Sequence, residues 1–217
     1  MEAAAGGGAP PGELWRHTAP YRGLCAMTES DAGLFFGREN EYQEVIDALG
    51  ADKLAVLLGN SGVGKSSLAQ AGVIAGLMEH SRDWRFLKLK PGVEPARALV
   101  ESFLWNWPFD EVDPRWAIES WVSDLVHGTV TLSDLLDATE ARLCGELHQP
   151  EPLAFLIYID QGEELYVRAE ERARARFWKI LEQGLGPRLR VMMSMGADFS
   201  AICRRTRYSC RVIALST

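Results

Sequence analysis

The run GNSGVGKSS, residues 59–67, spaces glycines, one lysine and two hydroxyls in a way that suits phosphate. Gly59, Gly64, Lys65 and Ser66 satisfy the pattern G-x-x-x-x-G-K-S/T without a mismatch. Gly59, Gly62 and Gly64 let the backbone turn tightly and aim successive N–H groups into one concavity. The loop from Gly59 through Asn60, Ser61 and Val63 to Ser67 would then surround phosphate oxygens. Lys65 is placed to reach the β- and γ-phosphates as a point charge, and Ser66 to offer its hydroxyl to Mg²⁺. The chemistry this implies is phosphoryl transfer from a magnesium nucleotide.

Such a site needs an acid beside it. FLIYIDQGEEL, residues 155–165, runs five apolar or aromatic residues into Asp160, Glu163 and Glu164. A carboxylate at the C-terminal end of a buried parallel strand sits where open α/β sheets place their ligands, so Asp160 is the expected magnesium-side residue. A glutamate just after it can orient and deprotonate the attacking water. Glu164 is the first choice and Glu163 the second, because adjacent residues of a turning chain do not both face one phosphate.

These residues require particular elements. KLAVLLG (53–59) is a short apolar run closed by glycine, as in a strand covered on both faces. Residues 65–79 follow as a helix, and WRFLKLK (84–90) alternates as a second strand, ended by Pro91-Gly92. Helical spacing recurs at 36–50, 94–106, 115–126, 132–148 and 167–183. Strands are expected at 153–160, 190–196 and 210–216, with a short helix from Asp198. Strands alternating with helices predict an α/β fold of P-loop NTPase type, a three-layer α/β/α sandwich around a mainly parallel five-stranded sheet.

The bulk numbers narrow the class. With 217 residues, 47% of them hydrophobic, the chain can bury one sizeable core. No apolar run approaches the roughly 18 residues of a membrane span, so no membrane partner is expected. MEAAAGGGAPPGE carries an acid where a secretory leader is basic and has no apolar stretch; residues 1–19 read as a flexible tail and the expected compartment is cytoplasmic. Four scattered cysteines without C-x-x-C and four scattered histidines give no metal pattern. Net charge is −7, yet residues 168–217 hold 11 Lys and Arg against 4 Asp and Glu. Much of that is RAEERARARFWK, whose Glu170/Arg174 spacing suits a solvated helix face, so nucleic acid is not the expected partner. Trp105, Trp107, Trp116 and Trp121 gather in one stretch, read as core packing, with a partner-docking patch as the alternative.

Asn40, Asn60 and Asn106 are not followed by Lys, so the guanine-reading N-K-x-D element is missing and ATP/ADP is the expected nucleotide. Four motifs in order, PYRGLCAMTESDAGLFFGREN, the GKSS loop, LIYIDQGEELY and VMMSMGADFSA, resemble the novel STAND NTPases, signal-transduction ATPases often joined to WD repeats. The resemblance runs from residue 20 to the end, and makes 20–217 one NTPase domain without the helical arm and winged-helix lid of its relatives. It implies an ATP-binding, ATP-hydrolysing switch that governs self-association or signalling partner proteins. It also implies that Phe36, Gly37, Arg38 and Glu39 lie near adenine and ribose, that Asp160, Glu163 and Glu164 form an extended Walker B motif, and that Asp198 ends the sensor strand. Two positions depart from the family: Gly162 replaces its phenylalanine, which would loosen the acidic turn, and Gly196 replaces its arginine. The second points to the alternative, a nucleotide-binding scaffold with weak catalysis, unless Arg204, Arg205 or Arg207 substitutes.

Overall fold

A computed structural model describes residues 26–80, 83–106, 113–147, 153–203 and 210–215. The strands are β1 (Leu54–Gly59), β2 (Trp84–Leu89), β3 (Ala154–Ile159), β4 (Leu189–Gly196) and β5 (Arg211–Ala214). All pairings are parallel, in the order β2-β3-β4-β1-β5. Every residue of β1 is buried, as are five of the six in β3. Their uninterrupted apolar runs follow from having helices on both faces.

On one face lie α1 (Glu39–Ala51) and the long helical segment α2, built of Lys65–Ser67, Leu68–Ile74 and Ala75–His80. Val45, Leu49, Leu68, Val73 and Ile74 pack there on Leu57, Leu156, Tyr158 and Met192. On the other face lie α3 (Pro95–Asn106), α4 (Pro114–His127), α5 (Leu132–Leu147) and α7 (Glu171–Gly184). Leu99, Phe103, Leu135, Phe177 and Leu181 cover Phe155, Ile157, Val191 and Met193 from that side. The result is the expected α/β/α sandwich. Alternation along the strands divides the two cores, since neighbouring side chains point to opposite faces.

Three local features differ from the reading of the sequence. The middle of α2, Leu68–Ile74, is π-helical, a widened form that often marks functional sites. A single turn α6 (Glu164–Val167) separates the acidic loop from α7. Trp105 and Trp116 are exposed, against the packing expectation, while Trp121 does pack on the core; Trp107 lies outside the described residues. No described helix is long and apolar enough to cross a membrane.

Candidate functional site

The loop after β1 turns back under its own glycines. Gly62 and Gly64 adopt φ of 82° and 84°, left-handed values that favour glycine. Gly59 is needed for a different reason: a Cβ there would lie 2.9 Å from Val63 Cγ1 and 3.0 Å from the Leu215 carbonyl oxygen. Gly59 and Val63 are buried beneath the loop, while Asn60 and Ser61 are exposed at its crest. Ser61, Gly62, Gly64, Lys65, Ser66 and Ser67 line a cavity of about 340 Å³. Its other walls are Ala26, then Asp160, Gln161 and Glu163 after β3, and Ser194 and Gly196 of β4. The cavity therefore opens at the carboxyl ends of three adjacent strands.

Lys65 donates to the carbonyl oxygens of Gly59 and Asn60 at 2.7 and 2.8 Å. Its ammonium is thus stored within the loop, and an arriving phosphate would take over as its partner. Ser66 Oγ donates to Asp160 Oδ1 at 3.2 Å. Tyr158 Oη and Ser194 Oγ lie 3.1 and 3.2 Å from the same oxygen. Burial alone would push the Asp160 carboxyl upward; the Lys88 charge and the Tyr158 and Ser194 hydroxyls outweigh it and hold the carboxyl below the usual carboxylate range. Asp160 is therefore a carboxylate at neutral pH. Tyr158 moves the opposite way, its phenol pushed up by burial.

The two glutamates diverge. Glu164 accepts from the Gly92 backbone N–H at 3.0 Å and pairs with Arg168 at 3.2 Å. Its carboxylate faces the loop after β2 and does not line the cavity. Glu163 does line it, and its Oε2 is buried without a hydrogen-bond partner among the described residues. The turn carrying both is fixed rather than loosened by Gly162. Gly162 N–H donates to the Ser194 carbonyl at 2.8 Å, and Gln161 N–H to Ser194 Oγ at 3.2 Å. A Cβ on Gly162 would sit 2.5 Å from Met193 Cγ, so any larger residue there would require the Met193 side chain to shift.

Of the residues placed near adenine by resemblance, Arg38 reaches the loop: its guanidinium carbon lies 3.9 Å from where a Gly64 Cβ would be. Its Nη1 is buried without a partner among the described residues. Arg38 also lines, with Phe35, Glu39, Tyr42 and Gly72, a second cavity of about 200 Å³ between the start of α1 and α2. Phe36 is 75% exposed and lines neither cavity. Gly37 turns the chain at φ 82° with its N–H on Glu39 Oε1. Asp198 falls in the short turn Ala197–Phe199 after β4, outside the cavity lining, and Arg204, Arg205 and Arg207 lie outside the described residues.

Sequence reasoning did not find Ser194, Tyr158, Gln70 or Lys88. Lys88 Nζ stands 3.3 Å from Asp160 Oδ2 and donates to Gln70 Oε1 at 3.0 Å. The one available signal was in the alternation of β2, where Trp84 and Phe86 face α2 and Lys88 follows on the same side.

The oxygens present suit a magnesium nucleotide. Among the described residues no three His, Cys, Asp or Glu side chains converge as a metal centre. A cation would rest on the Ser66 hydroxyl, the Asp160 carboxylate and the oxygens of its own ligand, as a reluctantly dehydrated hard ion prefers.

Residues 20–214 match the family model described as Novel STAND NTPase 1. The chain is similar in structure to the Walker-type ATPase PABY2304 of Pyrococcus abyssi, at TM-score 0.51 and 14% identity, over 88% of this chain and 57% of that one. It is also similar to the Aeropyrum pernix ORC1 protein solved in complex with DNA, at TM-score 0.51 and 14% identity, over 84% of this chain and 46% of that one. The ORC2 protein of Aeropyrum pernix, solved as ADPNP–ADP complexes, gives TM-score 0.51 and 12% identity, over 83% and 48%. The chain thus spans about half the length of these neighbours, and at such identities the likeness establishes the fold. A comparison with curated protein sequences finds no match.

Proposed function

The chain belongs to the novel STAND NTPase 1 family, and from that premise we propose that it binds ATP with Mg²⁺ and hydrolyses it as a signal-transduction switch. The observation that carries this reading is one cavity holding Lys65, Ser66, Asp160 and a buried oxygen of Glu163 that has no partner among the described residues.

The backbone N–H groups of residues 61–66, with the N-terminal end of α2, would hold the β- and γ-phosphates. Lys65 would leave the Gly59 and Asn60 carbonyls to neutralise them. Ser66 and Asp160 would hold the metal, which supplies charge stabilisation to the phosphoryl oxygens when bound. Glu163 is the residue we assign to orient and deprotonate the attacking water, in preference to Glu164. A carboxylate oxygen with no donor among the described residues is available to accept a water proton, whereas both oxygens of Glu164 are engaged. Arg38, beside Gly64, is proposed to reach the nucleotide from the α1 side. Change of nucleotide state would then govern self-association or partner proteins, as the family's description as signal-transduction ATPases implies.

Turnover of ATP by the purified chain should be lost on Lys65→Ala and on Glu163→Gln, the latter with nucleotide binding retained. Turnover that survives both changes would overturn the assignment.

Gly196 favours a second reading, nucleotide binding with slow turnover. It pairs in register with Gly59 and lines the cavity with no side chain, at the position where the family resemblance implies an arginine. The position can take one: its backbone, at φ −67° and ψ 148°, is extended, and the nearest atom to a Cβ is Phe199 Cδ2 at 3.7 Å. Gly196→Arg should raise turnover at least tenfold if a missing γ-phosphate contact limits the wild type, about 1.4 kcal/mol of barrier. Unchanged turnover would remove this reading.

A further inference from the structure

Lys88 is a cation built against the back of the metal-side carboxylate. It stands on β2, in register with Tyr158 of β3, so both side chains face α2. Its ammonium lies 3.3 Å from Asp160 Oδ2 and 5.7 Å from the centre of the Tyr158 ring. Gln70 holds it in place. That amide is 5% exposed, donates through Nε2 to the Ser66 carbonyl at 3.2 Å and accepts Lys88 through Oε1 at 3.0 Å. The π-helical widening of α2 begins at Leu68, so Gln70 sits within it, one turn past Ser66.

The two carboxylate oxygens of Asp160 are thereby divided. Oδ1 takes the hydroxyls on the side of Ser66, and Oδ2 takes the charge of Lys88. A divalent cation arriving at Ser66 meets a carboxylate already neutralised by an ammonium at contact distance. Opposite charges favour each other and like charges do not, so Lys88 lowers the attraction of this oxygen set for a second cation. We infer that Lys88 is a positioning residue that keeps the protein's own affinity for Mg²⁺ low, so that the metal is held only together with nucleotide phosphates. The inference rests on the proposed role of Asp160 as the metal-side carboxylate. It adds a regulatory consequence: occupancy by metal alone, which would mimic half of a loaded site, is suppressed.

The experiment is a titration of Mn²⁺ alone into the nucleotide-free full chain, read by the electron paramagnetic resonance of free Mn²⁺. Lys88→Gln keeps a donor toward Asp160 and Gln70 and removes the charge; Lys88→Met serves if that variant does not fold. Either should bind Mn²⁺ about two- to fivefold more tightly than wild type, the range set by a half-exposed ion pair. Lys88→Arg should behave as wild type, and Lys88→Gln combined with Asp160→Asn should lose the gain. An unchanged or weaker affinity in Lys88→Gln would overturn the inference, as would a gain that persists without Asp160. A separate titration with ADP present distinguishes the two levels. If Asp160→Asn leaves the Mn²⁺–ADP affinity unchanged, the metal-side reading of Asp160 fails and this inference with it. If that affinity falls while Lys88→Gln shows no gain, only the role of Lys88 is lost.

Discussion

Glu164 commits its carboxylate to the fold, taking the Gly92 N–H at 3.0 Å and Arg168 at 3.2 Å, while Glu163 one residue earlier leaves a buried oxygen unpaired among the described residues, in the cavity beside Lys65. The contrast follows from where each sits at the start of α6: Glu163 is the residue before the turn and Glu164 its first member. Side chains a single residue apart on a helical turn point about 100° apart, so one faces the cavity and the other the loop after β2. Glu164→Ala should then behave as a stability variant. It removes an acceptor from a backbone N–H and one partner of a half-buried pair, costing about 1.5–3 kcal/mol in urea unfolding. Nucleotide turnover, measured well below the melting temperature, should stay within a few-fold of wild type. A Glu164→Ala protein of native stability that no longer turns over ATP would return the water-handling role to Glu164.

At the scale of elements, the acidic turn and strand β4 are fitted to each other. The turn hangs on Ser194 through two N–H donors, from Gln161 and Gly162, and its Gly162 packs directly on Met193 and Met195. Gly162→Ala should therefore cost about 1–3 kcal/mol by overpacking, read as a lower denaturation midpoint. Adding Met193→Ala should recover part of that loss, since contacting residues are not additive. Full additivity of the two changes would mean that the clash is relieved elsewhere. The same elements show what was legible in the sequence. The strands read directly because burial on both faces writes itself as apolar runs such as LAVLLG and AFLIYI. The tight glycine turn after β1 read directly because its left-handed conformations at Gly62 and Gly64 are a local requirement. Lys88 and Ser194 did not, because their meaning depends on strand order: only the adjacency β2-β3-β4 brings them to Asp160. The choice between Glu163 and Glu164 was likewise hidden, since it depends on a contact with Gly92, 72 positions away. The π-helical stretch of α2 has no compositional mark at all.

For the whole molecule, the cavity is a junction of separately held parts. The loop belongs to β1 and α2, Asp160 and Glu163 to the end of β3, and Ser194 and Gly196 to β4. The segment before α1 joins them, with the Met27 N–H on Ser67 Oγ at 3.1 Å and Arg38 against Gly64. A nucleotide that contacts all of these binds the folded state and has no counterpart in the unfolded chain, so it must stabilise the whole cooperative unit. At a concentration one hundred times its dissociation constant, the gain is about 2.7 kcal/mol. For a chain of this size that corresponds to a rise of roughly 5–10 °C in melting temperature. Magnesium with ATP should produce that rise in wild type and Lys65→Ala should abolish it, whereas Glu163→Gln should keep it, because the water-handling carboxylate is not required for binding. Magnesium alone should produce almost none, as long as Lys88 holds Asp160. A melting temperature unmoved by millimolar ATP with magnesium would show that the loop does not hold phosphate. A rise of equal size in wild type and Lys65→Ala would place the nucleotide elsewhere on the molecule.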